Sequence, residues 1–273
     1  MTFRFCLYLI GLAWSIQASP IHFIFVGDTG TGTSDQYRVA SAMKTYCTRD
    51  ACDFLVLLGD NFYPGGVSSV LDPQWQTKVI KPYEPLNIPL YPVLGNHDYL
   101  GNVSAQLNFS KIFSHWILPA RYHTFTRGMV QFFILDSNKM DSAQLTWLKT
   151  ELNGSAARWK IAAEHHPLYS YGVHGSDENL INTLRPLLLG RLDFFLVGHD
   201  HDKQVLKDPS DSFLHYVVAG TGSQNRPSKG GVLSQFNSST LGFGSLNLDD
   251  ETAALKMLNA NAEIEFEKRI SHR

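Results

Sequence analysis

The stretch Phe54-Leu55-Val56-Leu57-Leu58-Gly59-Asp60-Asn61-Phe62-Tyr63 decides how this chain is read. A short, wholly apolar run passes straight into Gly-Asp. That is the pattern of a buried strand closed by a sharp turn, with glycine free to take positive φ and aspartate free to bond the backbone. The device recurs on either side. Residues 21–26 are apolar and end at Gly27-Asp28-Thr29-Gly30, and residues 90–94 end at Gly95-Asn96-His97-Asp98. Further on, residues 160–163 lead into Glu164-His165-His166-Pro167, and residues 194–197 lead into Gly198-His199-Asp200-His201.

Helical segments separate these strands. Residues 36–48 read as a helix, Asp72-Pro73 as an N-cap with proline at the first helical position, residues 141–152 as a helix capped by Asp141, and residues 178–189 as one more. Residues 130–135 add a strand. The last third changes character, with strands expected at 214–218, 241–248, 253–258 and 263–267 and little helix between them. Alternating strands and helices followed by a strand-rich tail predict an α/β fold of two face-to-face mixed β-sheets flanked by helices. In such folds ligands gather at the carboxyl ends of the strands, where all five polar segments fall.

The N-terminus reads differently. Arg4, an apolar run over residues 5–16, the small residues Ala18 and Ser19, and Pro20 have the layout of a secretory signal peptide over residues 1–18. Export is therefore expected, to the outside, a periplasm or a lysosome, with no membrane span left after cleavage. The rest, residues 20–273, contains no linker or repeat and is expected to form one domain. Cys6 lies in the leader, so the exported chain keeps Cys47 and Cys52, either bridged in a short loop or as two thiols. Asn-x-Ser sequons begin at Asn102, Asn108, Asn153 and Asn237. A net charge of −2 without a basic run leaves nucleic-acid binding unsupported, and a monomer is expected.

Each polar segment alone is weak, since Gly-Asp is a common turn. Five of them at strand ends point to a metal site. Carboxylates suit hard cations and imidazoles suit zinc or iron, and a carboxylate shared by two metals holds them close enough to clamp one phosphate.

The ordered set resembles the motifs of the calcineurin-like metallophosphoesterase superfamily. Tyr63, three residues after Asp60, narrows the resemblance to the purple acid phosphatases. The stretch 95–106, Gly-Asn-His-Asp-Tyr-Leu-Gly-Asn-Val-Ser-Ala-Gln, resembles the mammalian tartrate-resistant acid phosphatase type. The resemblance covers roughly residues 21–225. It implies that Asp28, Tyr63 and His201 bind Fe(III), that Asn96, His165 and His199 bind a divalent metal (Fe, Zn or Mn), and that Asp60 bridges the two. It implies further that His97 contacts the substrate phosphate and that His174, nine residues after His165, is a second active-site histidine. The expected reaction is acid hydrolysis of phosphate monoesters, small ones or phosphoproteins, by metal-bound hydroxide and without a phosphoenzyme. A phosphodiesterase of the same superfamily and a non-catalytic phosphate-binding protein on this scaffold are the alternatives. His166 adjoins the site, but the His-x-Pro spacing selects His165. Thr29 stands where the family often has an aromatic residue.

Overall fold

The computed structural model describes residues 19–211 and 213–273, so the expected leader lies outside the described residues. The first half runs β1 (Ile21–Val26), α1 (Ser34–Arg49), β2 (Phe54–Leu57), a π-helical turn (Gln76–Ile80) leading into α2 (Lys81–Tyr83), then β3 (Leu90–Pro92) and α3 (Val103–Asn108). It continues through β4 (His123–Arg127), β5 (Val130–Ile134), α4 (Ser142–Gly154) and β6 (Trp159–Ala163). Then come α5 (Glu178–Thr183), α6 (Arg185–Leu188), β7 (Phe194–Val197), β8 (Lys203–Leu206) and β9 (His215–Ala219). The tail holds β10 (Ser234–Ser238), β11 (Gly242–Leu248), β12 (Thr252–Asn259) and β13 (Ile264–Ser271).

Two mixed sheets result, as expected. One has the order β13-β12-β11-β1-β2-β3 and the other β10-β8-β9-β7-β6-β5-β4. Strands β1, β2 and β3 are parallel, as are β5, β6, β7 and β9. Alternation along each strand sorts side chains into layers. Phe23, Phe25, Phe54 and Val56 meet Phe132, Ile161, Phe194 and Val217 between the sheets. Ile24, Val26, Leu55 and Leu57 face the other way, onto Met43 and Tyr46 of α1. Phe133, Ala162 and Phe195 pack on Leu148 of α4 and Leu180 of α5. Burial on both faces explains why these parallel strands are continuous apolar runs.

Local signals behave as chemistry requires. Asp72 Oδ1 accepts the Gln74 N–H at 2.9 Å, and Asp141 caps α4 through the Gln144 N–H at 2.8 Å. The helix expected over 178–189 is instead two short helices meeting at Leu184, because Pro186 carries no N–H for a continuous ladder. Strands β4, β8 and β10 were not expected. Cys47 and Cys52 form a disulfide, with Cα atoms 5.1 Å apart, closing the end of α1 onto the approach to β2.

Candidate metal centre

The five polar segments converge. Asp28 follows β1, Asp60 follows β2 and Asn96 follows β3 in one sheet, while His165 follows β6 and His199 and His201 follow β7 in the other. The turns that present them are strained. Asp28, Asp60 and His199 all take positive φ, at 60°, 52° and 68°, a region that side chains with a Cβ seldom occupy. Gly59, at φ 88°, lies so close to the His165 ring that a Cβ would sit 2.5 Å from Nδ1. A Cβ on Gly95 would sit 2.2 Å from Asp60 Oδ1. The glycines beside the polar residues are thus required by crowding as well as by the turn. Hydrogen bonds join the segments: Gly198 N–H donates to His165 C=O at 3.1 Å within the second sheet, and His199 N–H donates across the sheets to Asp28 Oδ2 at 2.8 Å.

Two groups of donor atoms adjoin Asp60, one through Tyr63 and one through His165. In the first, the Tyr63 hydroxyl donates to Asp28 Oδ1 at 2.8 Å and lies 3.2 Å from His201 Nε2, which is 3.4 Å from Asp28 Oδ1. In the second, His165 Nε2 lies 3.1 Å from Asn96 Oδ1, 3.2 Å from His199 Nδ1 and 3.5 Å from Asp60 Oδ2. Ligand atoms of Asp28, Asp60 and His165 fall within 4.8 Å of one another, and all three residues are buried. His165 Nδ1 donates to the Leu58 carbonyl at 2.8 Å, which fixes the ring's orientation and aims Nε2 inward.

Electrostatics fit a cation. Burial opposes ionisation of the Tyr63 phenol, and Asp28 and Asp60 add to the effect, so its pKa is pushed far above the ordinary range. Phenolate at this position needs a strong Lewis acid. Burial disfavours charge on His165 as well, but Asp60 and Asp28 outweigh it and raise its pKa to about 10. Burial also disfavours charge on Asp60, and the His165 charge overrides it to hold the carboxyl below the usual range. One proton on His165 thus offsets two carboxylates, a place a metal ion could take. His199 is pushed down to about 2 by burial and by His165, which keeps its lone pair free. The oxygens of two carboxylates, an amide and a phenol, with three imidazole nitrogens, fit a pair of cations of differing hardness.

The expected substrate-side histidines line the same opening. His97 Nδ1 donates to the Pro64 carbonyl at 2.7 Å, its N–H donates to Asp60 Oδ1 at 2.9 Å, and its ring packs on Tyr63 with centroids 4.5 Å apart. The His174 N–H donates to Asp200 Oδ1 at 2.8 Å, and its ring lies 4.3 Å from that of His199. With Asp60, Tyr63, His199 and Arg226 they surround a cavity of about 200 Å³, large enough for a phosphate group.

A family model described as calcineurin-like phosphoesterase matches residues 21–203. The mouse protein named tartrate-resistant acid phosphatase type 5 is 34% identical over 245 residues, covering 76% of this chain and 74% of that one. The chain belongs to the purple acid phosphatase family. Purple acid phosphatase 17 of Arabidopsis thaliana is 33% identical, over 75% of this chain and 69% of its own. Among solved structures, yellow lupin purple acid phosphatase PPD1 superposes with a TM-score of 0.74 at 17% identity, over 93% of this chain and 54% of that one. Plasmodium GAP50, described as the anchor in the inner membrane complex, superposes with a TM-score of 0.85 at 24% identity, over 93% and 89%. Both structural likenesses concern the fold. As a member of the purple acid phosphatase family the chain is a phosphatase enzyme of the metallophosphoesterase superfamily.

Some residues of this phosphatase site escaped the sequence reading. Asp98 is fully buried and accepts from the amides of Gly95 at 2.8 Å and Asn61 at 3.1 Å, tying the turns after β2 and β3 together. The Gly-Asn-His-Asp quartet contained it, but only its neighbours were assigned roles. His166 had been set aside, yet its ligand nitrogen lies within 4.8 Å of those of His165 and His199. Ser137 is 2.7 Å from its Nδ1. Arg226 belongs to no motif and carried no signal beyond following the Gly220-Thr221-Gly222 turn.

Proposed function

We propose that this phosphatase hydrolyses phosphate monoesters in mild acid, with Fe(III) held by Asp28, Tyr63 and His201, a divalent metal held by Asn96, His165 and His199, and Asp60 bridging them. The observation that carries the reading is Tyr63, a half-buried phenol whose hydroxyl touches both Asp28 and His201, where burial and the neighbouring carboxylates oppose its ionisation unless a strong Lewis acid binds it. The metal pair, when bound, supplies positive charge for the phosphate oxygens and acidifies water for attack on phosphorus.

The chain's own residues do the rest. The His97 amide and the Leu58 carbonyl orient Asp60 and His165, so these two side chains are in place before substrate enters. His97 holds its Nδ1 proton on the Pro64 carbonyl, leaving Nε2 to face the phosphate or the departing oxygen. His174 Nε2 accepts a bond from Arg226 Nη1 at 2.9 Å, so it can take up a proton from solvent and deliver it only after that bond breaks. Export, with small esters or phosphoproteins as substrates, agrees with the Cys47–Cys52 disulfide, a bond kept in oxidising compartments. Among the described residues no helix is long and apolar enough to cross a membrane.

The test joins metal analysis, a visible spectrum and ester turnover on one purified sample. Two metals per chain, a charge-transfer band that Tyr63→Phe abolishes, and monoester turnover well above bis-ester turnover are expected. A colourless, iron-replete protein would refute the Tyr63 assignment.

A further inference from the structure

We propose that Arg226 is a substrate-binding residue of this site, whose guanidinium receives the dianionic phosphate and sets the preference for monoesters over diesters. The inference rests on the phosphatase reading above and adds to it a residue outside the metal-ligand motifs.

Its placement is the first support. Arg226 lies on the loop after β9, and that loop is sewn to the backbone of the metal centre. Gly222 N–H donates to Gly27 C=O at 3.1 Å, the Ser223 hydroxyl to Asp28 C=O at 2.6 Å, and Arg226 N–H to His201 C=O at 2.7 Å. Asn225 Nδ2 anchors the far side on Ser239 C=O at 2.6 Å. The loop is therefore held against Asp28 and His201, with the Arg226 backbone bonded to the latter, and the Arg226 side chain lines the same cavity of about 200 Å³.

Its pairing is the second. Among the described residues no carboxylate lies within ion-pair distance of Arg226, and its side chain has one partner, the Nε2 of His174. Arginine only donates, so that nitrogen accepts, and the bond joins a cation to a neutral ring. A guanidinium presents a planar fork of donors matched to phosphate, and bonds from it to an anionic oxygen are about twice as strong as neutral ones. A phosphate entering the cavity thus draws Arg226 away from His174. The exchange frees His174 Nε2 toward the leaving group while Arg226 takes a terminal oxygen.

The same contact discriminates between ester classes. A monoester dianion offers one more terminal oxygen and one more negative charge than a diester monoanion. Sites built to bond a particular group penalise analogues that lack it. The metals act on both classes, so the difference falls to the residue beyond them.

The experiment uses the metal-loaded protein as wild type, Arg226→Gln and Arg226→Lys. Inorganic phosphate is titrated calorimetrically, and kcat/KM is measured for p-nitrophenyl phosphate and bis(p-nitrophenyl) phosphate, with metal content checked. Arg226→Gln should keep both metals and weaken phosphate binding on the order of 10- to 100-fold. It should lower monoester kcat/KM by a similar factor and diester kcat/KM by less than about threefold. Arg226→Lys, with the charge but not the fork, should fall between the two. Phosphate affinity unchanged in Arg226→Gln, or equal losses on the two esters, overturns the proposal. Should the wild type turn over neither ester, the phosphatase reading fails, and the phosphate titration still decides the role of Arg226.

Discussion

An enzyme that works in acid must stay folded there, and His215 puts a measurable load on that requirement. It lies on β9 with 5% of its surface exposed, its Nδ1 donating to the Phe213 carbonyl at 2.9 Å and its ring 5.6 Å from that of Phe194. Burial, with Lys207 and Lys268 nearby, lowers its pKa from 6.5 to about 4. Between those values the unfolded chain holds a proton that the folded chain lacks, so the wild type loses stability as pH falls through this window. A shift of this size is worth about 3 kcal/mol in full, and about 2.5 kcal/mol of it is lost by pH ~4.5. His215→Phe keeps the ring's bulk and removes the titration, at the cost of one hydrogen bond, about 1 kcal/mol at every pH. The variant should therefore be slightly less stable than wild type near pH ~7.5 and more stable near pH ~4.5. The readout is the difference in unfolding free energy between the two proteins at each pH, in which acid effects at the metal centre cancel. At ~2–4 °C per kcal/mol, the relative melting temperatures should move by roughly 5 °C or more between the two pH values. A difference that stays constant with pH would refute the argument.

Three further outcomes bear on the site. Asp60→Ala should nearly abolish turnover while Asp50→Ala, outside every motif, keeps most of it; similar activity in both would count against Asp60 as the shared ligand. Gly59→Ala forces a Cβ to 2.5 Å from His165 Nδ1 at φ 88°, whereas Gly190→Ala at φ 69° meets nothing within 4 Å. The first should lose metal by elemental analysis and the second should lose only about 1–2 kcal/mol of stability, so full metal content in Gly59→Ala would contradict the packing described. His174→Ala should keep both metals and the colour, with kcat/KM falling on the order of 10²-fold for an alkyl phosphate and less for an aryl phosphate, whose leaving group needs less protonation; unchanged rates on both would make the residue a bystander.

Where the sequence could be read and where it could not follows from the range of the interactions. Strands β1, β2 and β7 are buried on both faces and end in Gly-Asp or Gly-His, so pattern and punctuation lie side by side in the chain. Strands β4 and β10 are edge strands whose half-exposed faces carry no apolar run. Strand β8 was hidden for another reason. It begins Lys203-Gln204, both buried, and reads as polar surface until the distant partners are known. Lys203 Nζ is paired with Glu265 and donates to Leu258 C=O at 2.8 Å, and Gln204 Nε2 donates to Ser170 Oγ at 2.9 Å. The site divides in the same way. Its donors stand in short motifs at strand ends, four of them directly after a glycine, and could be found there, while Arg226 reaches His174 across a separation of 52 residues.

The two donor groups have a mechanical consequence. Neither sheet holds a complete set: the carboxylates, the phenol and the amide come from one, and every imidazole of the two groups comes from the other. Any cation gripped there ties the halves of the sandwich along one edge, as a cross-link between distant parts of the chain does. Its affinity then adds to folding stability in proportion to the logarithm of free metal concentration. Starvation for metal would loosen the seam between the sheets as well as silence the chemistry. The barrier to opening that edge becomes a property of the surrounding medium, set from outside the protein.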